Sequence, residues 1–199
     1  MERHYRFVRC GSAVILTLAF TVAFAAVAAP AVGQASVTSI SIFQGRRIST
    51  SVPKGWSFSD TVDKRNGVQT IEMKDPTGEI ELSVSFFPDT EGRLSTKAAI
   101  DAEIRKDTDF YLSGSVEREI TVVSLGSSKD LGVFAVFTDR RLIGKAIPST
   151  ERLYSTVGIR SWDGVFLLFT LLSNSRDAER YRTALDIVRT GIVEVPRSK

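Results

Sequence analysis

Few side chains in this sequence could do chemistry, and their spacing narrows them further. Ser51-Val52-Pro53-Lys54 has the Ser-x-x-Lys spacing, in which a lysine one helical turn away takes the serine proton. Pro53 and the strand-like pattern around it deny the helix that this chemistry needs. Asp107-Thr108-Asp109 begins like a calcium loop, but the sixth position, where the chain must turn sharply on a glycine, is Leu112. Glu72 and Glu81 fall on one face of a predicted hairpin, and a carboxyl pair held about 5 to 9 Å apart can cleave a glycoside. Carboxylates on a half-exposed hairpin more often simply face water. His4 is the single histidine and Cys10 the single cysteine, both at the extreme N-terminus. The rest of the chain therefore has no imidazole for a Ser-His-Asp triad and no thiol for nucleophilic, redox or disulfide chemistry. Zinc sites draw mainly on those two residue types. The sequence thus offers no catalytic residue, no metal site and no cofactor site.

Binding residues are easier to nominate. Arg140, Arg141 and Lys145 lie in the longest connection between strands, Asp139 to Pro148, where an anion or an acidic partner could dock. Trp162 precedes the turn dipeptide Asp163-Gly164, a place where burial is difficult, and exposed tryptophan is enriched in protein contacts. Trp56 follows a turn and is expected to plug the end of the core. A general affinity for nucleic acid has no support. The chain carries +3, but Arg3, Arg6 and Arg9 against Glu2 lie in the first ten residues, and without them the balance is +1. No basic face follows from so small an excess.

Those arginines open a leader. An uncharged apolar stretch, Ser12 to Ala29, follows them, and small residues then offer a cleavage point after Ala35. A basic start, an apolar stretch and a small-residue exit make residues 1–35 a secretory signal peptide. The expected location is periplasmic or secreted, without stable membrane insertion once the leader is cleaved. Residues 36–46 read as a flexible entry, 47–192 as one domain and 193–199 as a tail.

Within the domain, hydrophobic alternation marks strands at Arg47–Val52, Trp56–Asp60, Val68–Lys74 and Ile80–Phe86. Asn66-Gly67 and Asp75-Pro76-Thr77-Gly78 supply the turns between them. Ser95 can cap a helix reaching Ser113, with Ile100, Ile104 and Tyr111 on one stripe. Strands follow at Ile120–Leu125, Leu131–Phe137, Leu153–Ile159 and Val165–Leu172. Asn174 or Ser175 then caps a closing helix, Asp177–Thr190, with Ala178, Tyr181, Leu185 and Val188 inward. The short turns predict antiparallel pairing. The apolar runs at 131–137 and 165–172 need cover on both faces. The fold class is therefore α+β, an antiparallel sheet with helices packed across it.

This order of elements resembles the PsbP-like family, named for the extrinsic subunit of photosystem II. Val52-Pro53-Lys54-Gly55-Trp56 is similar to that family's opening strand, Asp163-Gly164-Val165-Phe166 to its late hairpin, and Asp177, Tyr181, Leu185 and Val188 to its closing helix. The resemblance implies an α/β/α sandwich over roughly 47–192 and a largely non-enzymatic role in binding or assisting other proteins. The expectation is an exported, non-catalytic accessory protein of the cell envelope that contacts a partner protein. Two alternatives stand beside it: a carrier of a small apolar ligand or lipid, using some of the 12 phenylalanines, and a carboxylate-based hydrolase.

Overall fold

Alternation with a period of two decides which side chains reach the core, and it is plain over residues 47–52, 69–74, 80–88, 131–138 and 165–173. The computed structural model describes residues 35–126 and 131–196. Apart from Ala35, the leader assigned to 1–35 lies outside them. The strands are β1 (Ser36–Ser41), β2 (Arg47–Val52), β3 (Ser57–Val62), β4 (Gln69–Lys74), β5 (Ile80–Pro88), β6 (Val123–Ser124), β7 (Leu131–Thr138), β8 (Tyr154–Trp162), β9 (Val165–Ser173) and β10 (Ile192–Glu194). The helices are α1 (Lys97–Thr108) and α2 (Glu179–Asp186). All pairings are antiparallel. β3-β4-β5-β9-β8-β7-β6 form a seven-stranded sheet, and β1-β2-β10 a second, three-stranded one. The chain is α+β, as its pattern of elements predicts.

The large sheet is covered widely on one face and, on the other, over β7 and β8. One face presents Ile71, Met73, Leu82, Val84, Phe86, Leu167, Phe169 and Leu171, all buried. The small sheet packs on it through Ile40, Ile48, Val52 and Ile192, and α2 through Tyr181, Ala184 and Leu185. The Tyr181 hydroxyl and Thr156 Oγ1 form a hydrogen bond across this layer at 2.8 Å. On the other face α1 seats Ile100 and Ile104 against Val133 and Ile159. The two helices thus lie on opposite sides of the sheet. The phenylalanines that could line a ligand pocket serve packing: Phe86, Phe137 and Phe169 are wholly buried, and Phe87 stacks on Phe166 at 5.1 Å.

Several boundaries differ from expectation. Ser36–Arg46 is not a loose entry, because β1 pairs with the whole of β2, Ser36 opposite Val52 and Ser41 opposite Arg47. The tail begins later than 193, since Val193 and Glu194 pair with Ser49 and Ile48. The strand expected over Ile120–Leu125 is two residues long, Val123–Ser124. Thr96 rather than Ser95 caps α1, its Oγ1 accepting from the Ala99 amide at 3.2 Å. No side chain caps α2; Asn174 instead accepts from the Leu153 amide at 3.1 Å. The closing helix is α-helical only to Asp186 and continues as a π-turn, Ile187–Gly191.

Gly158, in the middle of β8, is a packing requirement. A Cβ there would lie 2.3 Å from Phe169 Cε1 and 2.6 Å from the Val133 carbonyl oxygen. Gly158→Ala should therefore cost about 3 kcal/mol through overpacking, read as a drop in the urea midpoint at unchanged slope. Phe169→Leu in the same chain should recover part of that loss.

Candidate interaction surface

Two segments meet beyond the Phe137 end of β7. The first is the 3-10 turn after α1, Asp109–Ser113, with the residues that follow it. α1 runs to Thr108, whose hydroxyl donates to the Ile104 carbonyl at 2.6 Å. Tyr111 then stacks on Phe137 at 4.9 Å and 17°. Its neighbour Phe110 lies against Tyr111, ring centroids 4.2 Å apart, and is 59% exposed. The second segment is the β7–β8 connection, Asp139 to Leu153. Ser115 bridges Asp139, the Val116 amide donates to the Thr138 carbonyl at 3.0 Å, and the Arg140 amide to the Gly114 carbonyl at 3.0 Å.

Side chains lock the junction. Glu117 receives the Thr138 amide at 2.8 Å and the Thr138 hydroxyl at 2.7 Å. Burial alone would raise the Glu117 pKa, but those bonds, with help from Ser115 and its own backbone amide, hold it below the usual 4.5. The Arg140 guanidinium donates to the Ser115 carbonyl. Arg141 clasps Asp139 through Nε and Nη2 at 3.2 and 2.7 Å, and reaches Glu151 at 3.1 Å. That clasp holds the Asp139 carboxyl below the ordinary carboxylate range.

Past this brace the connection turns over Leu142-Ile143-Gly144-Lys145, closed by the Lys145 amide donating to the Leu142 carbonyl at 3.2 Å. Gly144 takes φ +69°, the left-handed third position of a type II turn. Leu142 is buried, whereas Ile143 rides the apex, 51% exposed. Val116 is 43% exposed. Three of the seven large apolar side chains exposed among the described residues thus sit on these two joined segments.

Of the four nominated contact residues, Arg140, Arg141 and Lys145 are at this junction, all exposed. Arg141 is engaged with its two carboxylates, and Lys145 stands on the apex turn. Trp162 is not brought to them. It closes β8 at the far end from Tyr154, roughly 26 Å away at 3.3 Å per residue. There it is half-buried against the main core, with the Arg160 guanidinium 5.1 Å over its ring. Trp56 is likewise packed on that core.

The nominated chemistry meets a different environment. Ser51 is on β2 and Lys54 in the turn after it, so no helix joins them. Burial and then Glu103 raise the Asp107 pKa. Among the described residues no group of three or more His, Cys, Asp or Glu could hold a metal. Glu72 and Glu81 do share a face, diagonally across β4 and β5, but Glu81 is ion-paired to Lys74 at 3.2 Å and to Arg152 at 2.6 Å. Among the described residues no helix is long and apolar enough to cross a membrane.

No protein-family model matches the chain, and no curated protein matches it. Among solved structures the chain is similar to the solution structure of cyanobacterial PsbP (CyanoP) from Synechocystis sp. PCC 6803. The two are 16% identical with a TM-score of 0.49, over 83% of this chain and 96% of that one. The α+β architecture rests on the strand order itself, and no site residue is carried over from that protein.

Glu117 gives the junction an acid-sensitive element. A carboxyl depressed in the folded state adds stability above its ordinary pKa, and that stability is lost as pH falls through the folded value. Glu117→Gln should cost about 1 kcal/mol near pH 7. The gap between variant and wild type should close as pH falls below 4.5, measured by urea denaturation across that range.

Proposed function

We propose that this chain is an exported, non-catalytic accessory protein of the cell envelope that docks on a partner protein through the junction of residues 109–118 with residues 139–145. One observation carries the proposal. Phe110, Val116 and Ile143 are held out in water by segments that are themselves hydrogen-bonded and ion-paired in place. Exposed apolar groups on a rigid frame lose little conformational entropy on binding, which favours their use as anchors. Arg140 and Lys145 beside Ile143 give the rim positive charge, so the complementary surface is that of a protein with an acidic rim around an apolar centre. The exported location rests on the character of the leader, and Trp162, at the other end of β8, is a separate contact candidate.

The test is crosslinked capture of partners from the native envelope fraction. Phe110→Ser with Ile143→Ser should lower capture of a specific protein at least about tenfold with the melting temperature unchanged. Lys145→Glu should weaken it further at low salt than at high salt. Trp162→Ala should leave it intact. Capture indifferent to the apolar pair would defeat this assignment of the surface.

A further inference from the structure

At the opposite border of the large sheet, β3 ends the strand order with six residues, whereas β6 ends the other side with two. Ser57, Ser59, Asp60, Thr61 and Val62 are all exposed. The Asp63 amide donates to the Val68 carbonyl at 2.9 Å, which fixes the phase of the β3–β4 ladder. Residues 57, 59 and 61 bond inward to β4. The amides and carbonyls of Phe58, Asp60 and Val62 therefore point outward.

The side chains of the same three residues lie on the core face, opposite Met73, Ile71 and Gln69. Phe58 is partly covered by the core, but Val62 is 55% exposed, beyond the layer that covers its neighbours. Between them the Asp60 carboxylate has one hydrogen-bond partner among the described residues, the Gln69 side-chain amide at 3.2 Å. A charge facing the core side of an open edge deters indiscriminate pairing with apolar strands. It also deters a second copy of this chain, because pairing the outward-facing residues 58, 60 and 62 of two copies in one register places Asp60 against Asp60. What the edge admits is a strand whose charge answers Asp60.

We propose that the outer edge of β3 accepts an extended segment of a partner protein as an eighth strand, with lysine or arginine opposite Asp60 and apolar residues two positions to either side. Main-chain bonds to residues 58, 60 and 62 supply the docking, and alternate side chains supply the selection. The flanking apolar residues fall opposite Val62 and Phe58 and extend the covered core face.

The probe is a fluorescent peptide, Thr-Val-Thr-Lys-Thr-Val-Thr, compared with its Lys→Glu counterpart by anisotropy on the full-length protein. The lysine peptide should bind more tightly by about tenfold, and Asp60→Lys should invert that order. Val62→Pro removes an outward donor without touching the ladder to β4, as proline on an edge strand can. It should abolish binding of both peptides at unchanged melting temperature. Amide exchange at Asp60 and Val62 should slow on adding the lysine peptide. Equal affinity for the two peptides, no measurable binding of either, or unprotected amides at 60 and 62 would each overturn the proposal. The Phe110 and Ile143 variants should leave peptide binding unchanged, so this result stands apart from that of the capture experiment.

Discussion

A guanidinium buried between the two sheets holds the molecule in register. Arg160 projects from β8 into the core and is only 6% exposed. Its Nη1 donates to the Val188 carbonyl at 2.9 Å and the Ile192 carbonyl at 2.8 Å. A cation out of water is tolerable only with hydrogen-bond partners, and two backbone carbonyls accept from this one. The end of a helix offers carbonyls without intrahelical partners and with partial negative charge. The widened turn at Ile187–Gly191 brings that end over β8. Ile192 opens β10, β10 pairs with β2, and β2 with β1, so one side chain on β8 orients the entire small sheet. Arg46 adds a second tie, grasping Glu194 on β10 with two nitrogens and donating to the Asp163 carbonyl at 2.8 Å.

The two borders of the large sheet follow from this arrangement. With the small sheet fixed over the centre, the Pro53–Gly55 turn delivers the chain to β3 at a position that the covering layer reaches only as far as Phe58. At the other border the chain after α1 uses Gly114 to Glu117 to brace the β7–β8 connection. That leaves two residues, Val123 and Ser124, to pair with β7. One border is consumed in building a rigid, partly apolar surface; the other remains a main-chain edge.

What the sequence made legible was local. The hairpins at Asn66-Gly67, Asp75–Gly78 and Asp163-Gly164 are encoded by turn residues beside alternating strands, and they form as read. Asp75 even supplies its own staple, accepting the Ile80 amide at 2.9 Å and Arg180 at 3.0 Å. The small sheet was hidden, because β1 is serine-rich and its order comes from partners that the chain reaches only later, at 47–52 and 192–194. Arg140, Arg141 and Lys145 were found through loop length, but the neutralising role of Asp139 and Glu151 required coordinates. Phe110 and Ile143 are marked only by their positions. Both carried a signal: Phe110 falls off the Ile100–Ile104–Tyr111 stripe, and Ile143-Gly144 has the order of a type II turn with isoleucine at its apex.

The sheet's stiffness gives these borders a common consequence. β3 and β7 are five strand spacings apart, about 24 Å at 4.8 Å per spacing. The intervening β4, β5, β9 and β8 are buried on their core face and paired along their lengths, so neither border can shift without repacking Ile71, Val84 and Phe169. Here the groups free to bind are spread to opposite margins, one apolar with a basic rim and one a main-chain edge guarded by an acid. Surfaces so separated and so different in chemistry would not compete for the same partner.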